Sequence, residues 1–185
     1  MSAPRLKIAL VVSESPDAEA VRGVLECFSV RVFRHGIGRG DDLVAVLSGE
    51  DIYPDTDHLI LCCHGHEGKI VMPELGPGVA RADEPVGNWG PEEVRRYAKL
   101  PPILVLNTGC DLGRPDMVRA FLDSGCRAYV GAVDYPEGDA ALFFVVRFYY
   151  ELLTKKCTER EAVELARSQD DQTAMYRYFD KDTVP

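Results

Sequence analysis

Four patterns that would have named a function outright are missing from this 185-residue chain. No stretch approaches the ~18 consecutive apolar residues that a membrane span requires. The opening Met1-Ser2-Ala3-Pro4-Arg5 runs into a β-rich segment with no cleavable apolar leader. Positive charge is scarce: 21 Lys and Arg against 30 Asp and Glu leave a formal net charge of −9. That excludes the clustered basic surface of a nucleic-acid binder. The six cysteines (Cys27, Cys62, Cys63, Cys110, Cys126 and Cys157) contain no Cys-x-x-Cys pair and no short secreted-type framework. The expectation is a cytoplasmic protein with reduced thiols, no nucleic-acid or membrane partner, and an acidic field that attracts cations.

What is present is a regular alternation of short apolar runs and helical spacing. Residues 6–12, 30–33, 59–63, 103–107 and 127–133 read as strands, the central ones apolar on both faces as in a parallel sheet. Residues 17–27, 41–47, 91–98, 115–124, 139–153 and 158–168 read as helices. The last opens on the capping box Thr158-Glu159-Arg160-Glu161. Residues 35–40, with three glycines, predict a flexible loop. A small hairpin is expected around Lys69-Ile70-Val71, and residues 74–90, rich in Gly, Pro and acids, predict a surface loop. No element is assigned to the tail at residues 169–185. With no internal repeat or linker, residues 1–185 read as one α/β domain: a mainly parallel sheet flanked by helices on both faces.

Two of the central runs end on reactive side chains. Residues 59–63 lead to His64-Gly65, and residues 103–107 lead through Thr108-Gly109 to Cys110. Functional groups of open α/β sheets gather at the carboxyl ends of strands. A cysteine nucleophile with an imidazole partner needs both groups in one crevice. His66 is the competing imidazole. A metal at Cys62-Cys63-His64-Gly65-His66 is disfavoured because adjacent strand residues point to opposite faces. The glycines at 36, 38 and 40 lack the Lys and Ser/Thr of a phosphate-binding loop. No metal or other cofactor is expected.

The segments His64-Gly65 and Leu106-Asn107-Thr108-Gly109-Cys110-Asp111-Leu112-Gly113-Arg114 resemble the histidine and nucleophile motifs of caspase-like cysteine peptidases, most of all the CHAT branch. Gly125-Cys126-Arg127-Ala128-Tyr129-Val130-Gly131-Ala132-Val133 and the helices after it are similar to the elements that follow in those proteins, so the likeness covers roughly residues 58–168. Thr108-Gly109 replaces the usual Ser-Ala, and Asp134-Tyr135 stands where many relatives carry tryptophan. The resemblance implies a caspase-like three-layer sandwich and a cysteine endopeptidase with a His64/Cys110 dyad. The backbone N–H groups of Gly65 and Cys110 would be the oxyanion donors. It also implies a polypeptide substrate and leaves room for a separate regulatory partner protein. Asp134 and Glu137, with Asp111, are candidates for binding a basic substrate side chain. In the alternative, Asp139 caps the helix it precedes and the other acids are solvated. An inactive interaction module and another thiol-dependent hydrolase remain rival readings.

Overall fold

The computed structural model describes residues 5–184. The chain forms β1 (Lys7–Val12), α1 (Ala18–Cys27), β2 (Arg31–Gly36) and α2 (Gly40–Leu47), then β3 (His58–Cys62) and a hairpin of β4 (Gly65–His66) and β5 (Lys69–Ile70). After these come α3 (Pro91–Tyr97), β6 (Leu104–Asn107), α4 (Pro115–Asp123), β7 (Ala128–Ala132), α5 (Gly138–Leu153) and α6 (Glu159–Arg167). A 3-10 turn (Thr173–Met175) and β8 (Tyr176–Phe179) complete the order. Six strands make one sheet in the order β2-β1-β3-β6-β7-β8. Every neighbouring pair is parallel except β7 with β8.

Every residue of β3, β6 and β7 is buried, so both faces of the sheet must be covered. Alternation assigns the faces. Leu59, Leu61, Val105 and Tyr129 pack with Leu43 and Val46 of α2, Val94 of α3 and Met117 and Phe121 of α4. Ile8, Leu10, Ile60, Leu106 and Val130 pack with Val21 and Leu25 of α1, Phe144 and Phe148 of α5 and Val163 of α6. The result is three layers, helix on sheet on helix, with the carboxyl ends of the parallel strands at one rim.

The structure departs from the sequence expectations at residues 35–40 and at Asp139, and adds detail at residues 74–90 and in the tail. His35 and Gly36 belong to β2, paired with Val11 and Val12 of β1, and Gly40 opens α2. Half of residues 35–40 therefore belong to regular elements and only 37–39 form the connection, because parallel pairing outweighs the glycine content. Residues 74–90 are irregular but anchored: Trp89 is fully buried and bridges Ile70 in both directions. The buried Glu84 carboxylate is gripped through Nε and a terminal nitrogen of Arg39. Among the described residues the Asp139 carboxylate accepts only from the Ala140 N–H, and the cap position of α5 is Glu137. The tail yields β8, whose Tyr176 stacks on Phe144 at 4.1 Å and donates its hydroxyl to the Thr108 carbonyl at 3.2 Å.

Candidate active site

β3 and β6 are adjacent and parallel, with Leu61 opposite Asn107, an offset of 46 residues. The same offset separates His64 from Cys110, so both leave the sheet at one level of the rim. The main chains then touch. Thr108 donates its N–H to the Leu61 carbonyl at 3.0 Å. A methyl group on Gly65 would lie 2.0 Å from the Cys110 carbonyl oxygen and 2.9 Å from its nitrogen. One on Gly109 would lie 3.1 Å from the Gly65 nitrogen. Glycine is required at both places by this close approach.

Cys110 is half-buried, and its sulfur donates to the Pro136 carbonyl at 3.6 Å in the loop between β7 and α5. Burial pushes the thiol above its ordinary value. Its own backbone N–H opposes the rise, and the Asp111 charge adds to it. The His64 ring is exposed, and among the described residues it makes no hydrogen bond; its carbonyl accepts from Val71 N–H at 2.9 Å.

The other thiols and imidazoles lie elsewhere. Cys62 and Cys126 are buried and pushed up to about 12 by desolvation. Cys63 is also raised by burial and donates to Asn107 Oδ1 at 3.4 Å. Cys62 and Cys63 belong to opposite core layers. Among the described residues, no three His, Cys, Asp or Glu side chains converge as metal ligands. His58 is buried at the amino end of β3, between the Tyr149 hydroxyl at 3.0 Å and Glu159 at 2.8 Å. His66, the competing imidazole, is exposed and meets the Tyr135 ring edge-on, 6.2 Å between centroids.

The candidate acids divide into two groups. Asp111 is only 4% exposed, has φ of 57°, and is held bidentately by Arg114 at 2.8 and 2.6 Å. Its carboxylate orders the nucleophile turn. Asp134 and Glu137 have exposed side chains in the loop that also receives the Cys110 thiol. Arg114 and the Pro136 carbonyl were not singled out from sequence, and Tyr135 was noted only as standing where many relatives carry tryptophan. The Asp111/Arg114 spacing of i and i+3 was a readable signal for the first, whereas nothing local marks the other two. On the other side of the hairpin, a cavity of about 880 Å³ is lined by Glu14, Val71, Met72, Glu74 and Val86. Neither His64 nor Cys110 lines it. No helix among the described residues is long and apolar enough to cross a membrane.

No protein-family model matches the chain, and no curated protein matches it. Solved structures do. The Arg-specific cysteine proteinase gingipain R aligns with a TM-score of 0.58 at 9% identity, over 96% of this chain and 46% of its own. The complex of the pro- and mature domains of the same proteinase from Porphyromonas gingivalis aligns at 0.57 and 10% identity, over 97% and 48%. A secreted C11 cysteine protease from Bacteroides thetaiotaomicron, bound to an irreversible peptide inhibitor, gives 0.52 and 13% over 89% and 58%. The chain thus spans about half the length of the structures it matches. Likeness at this identity speaks for the fold, since activity resides in the site. The fold is the caspase-like α/β sandwich of these cysteine proteases.

Proposed function

We propose that the chain is a cysteine endopeptidase in which Cys110 is the nucleophile and His64 the proton-transfer group. The observation that carries this reading is the close packing of Gly65 against Cys110, which brings the two strand ends into one notch. In the reaction, the Cys110 sulfur attacks a peptide carbonyl carbon, the thiol proton passes through His64 to the departing amine, and a thioester remains. His64 then takes a proton from water, whose oxygen displaces the sulfur and restores the thiol. The Gly65 and Cys110 amides face the position of the developing oxyanion. Burial raises the thiol above its ordinary value, so this reading calls on His64 to take the proton as the sulfur attacks.

A basic residue before the scissile bond is favoured by the exposed Asp134 and Glu137, in the loop whose Pro136 carbonyl meets the sulfur, and by the net charge of −9. The Arg specificity of one structural neighbour supports the same preference. Asp111, already paired with Arg114, supports the turn rather than the substrate. The cavity of about 880 Å³ beside the hairpin provides room for residues further along an extended substrate. The CHAT branch and a cytoplasmic setting, with a separate regulatory partner, belong to the same proposal.

The test is cleavage of a fluorogenic peptide library by the wild type, Cys110→Ala and His64→Ala. The proposal expects turnover only in the wild type, highest with Arg or Lys before the cleaved bond. Undiminished turnover in Cys110→Ala would remove the nucleophile. A second reading, a non-catalytic interaction module, is favoured by one observation, the raised thiol turned to Pro136. It expects no turnover in any of the three proteins.

A further inference from the structure

The loop between β7 and α5 touches the nucleophile turn three times. The Asp134 carbonyl accepts from Asp111 N–H at 2.8 Å, the Pro136 carbonyl accepts from the Cys110 thiol at 3.6 Å, and the Tyr135 hydroxyl donates to Asp111 Oδ2 at 3.4 Å. The same Tyr135 hydroxyl accepts from Glu67 N–H at 3.0 Å, at the tip of the β4–β5 hairpin. That hairpin begins immediately after His64. Glu67 itself has φ of 50°, a conformation that needs holding. One phenol oxygen therefore bonds both to the turn carrying the sulfur and to the hairpin carrying the imidazole.

The neighbours around this oxygen make the link a positioned one. Asp111 is fixed from behind by Arg114, whose side chain passes within 2.9 Å of where a methyl on Gly68 would sit. His66 packs edge-on to the Tyr135 ring. Yet Tyr135 is 44% exposed, so its side chain does little for the core. A large aromatic left half in water, with both hydrogen-bonding roles of its hydroxyl used, suits alignment better than stability.

We infer that Tyr135 is a positioning residue that sets the separation between His64 and Cys110 by tying the histidine hairpin to the nucleophile turn. The inference rests on the dyad proposed above and deepens it. Tyr135 touches neither substrate nor sulfur through its side chain; it acts through Glu67 and Asp111.

The test is Tyr135→Phe, which keeps the ring against His66 and deletes only the hydroxyl. Two readouts are needed. The first is the pH profile of iodoacetamide alkylation at Cys110, followed by mass spectrometry of the Cys110 peptide, in wild type, Tyr135→Phe and His64→Ala. The second is kcat and KM on the best library peptide. We expect the Tyr135→Phe alkylation profile to move toward that of His64→Ala. We also expect kcat to fall about tenfold with KM unchanged, the scale on which small misplacements of reacting groups act, and Tm to stay within about 2 °C, as for a surface change. A wild-type alkylation profile in Tyr135→Phe overturns the inference, as does a Tm loss that accounts for the fall in kcat. If the wild type cleaves no peptide, the endopeptidase reading fails while the alkylation profiles still decide the role of Tyr135.

Discussion

At the residue scale, the candidate site depends on two glycines as much as on the proposed pair of His64 and Cys110. Gly65 and Gly109 let two strand ends approach until main chain meets main chain. Neither shows a positive φ, so the constraint is space rather than backbone conformation. Gly65→Ala forces a methyl to within 2.0 Å of the Cys110 carbonyl, which displaces either the hairpin or the nucleophile turn. We expect Gly65→Ala to stay folded by circular dichroism but to react with an electrophilic peptide about 100-fold more slowly, since misplacement of ~1 Å costs that order. Wild-type labelling in this variant would mean that the contact has no bearing on the chemistry.

At the element scale, α6 is secured to the end of the sheet remote from the site. Glu159 at its first turn accepts from His58 of β3 at 2.8 Å and from Arg127 at 2.7 Å. Burial pushes its carboxyl up, but these two partners outweigh burial and hold it at about 2. A carboxylate depressed in the folded state stabilises above its unfolded value of ~4.3, and that stability is lost as pH falls through ~2. Glu159→Gln is expected to lower Tm at pH 7 and to flatten its decline between about pH 5 and pH 2; an unchanged acid limb would show the pair to be idle. The elements differ in how plainly the sequence announced them. β3 and β6 were legible because strands buried on both faces must be apolar throughout. β8 was not, because its four residues, Tyr-Arg-Tyr-Phe, take their place only through antiparallel pairing with β7, a long-range event. Trp89 and the Glu84–Arg39 pair were hidden in the same way, since a composition rich in Gly, Pro and acids says nothing of contacts 45 residues away.

At the scale of the whole molecule, the charge of −9 sets the field in which a substrate arrives. Screening shortens that field to ~10 Å at 0.1 M salt. Cleavage of Arg- or Lys-containing peptides is therefore expected to lose kcat/KM several-fold as salt rises to about 0.3 M, while neutral peptides change little; equal slopes would assign the acids to solubility. The strand ends that carry His64 and Cys110 were legible because both follow apolar strands of one sheet, whereas the Tyr135 link was not, since it joins three separate segments. The sharing of one notch by His64 and Cys110 is tested most directly by a crystal structure of the chain after reaction with a peptidyl electrophile carrying Arg at its reactive end. We expect a covalent bond to the Cys110 sulfur, the adduct oxygen facing the Gly65 and Cys110 amides, and the His64 ring within hydrogen-bond reach of the adduct. An adduct on another cysteine, or one on Cys110 with the His64 ring turned away, would contradict the shared site.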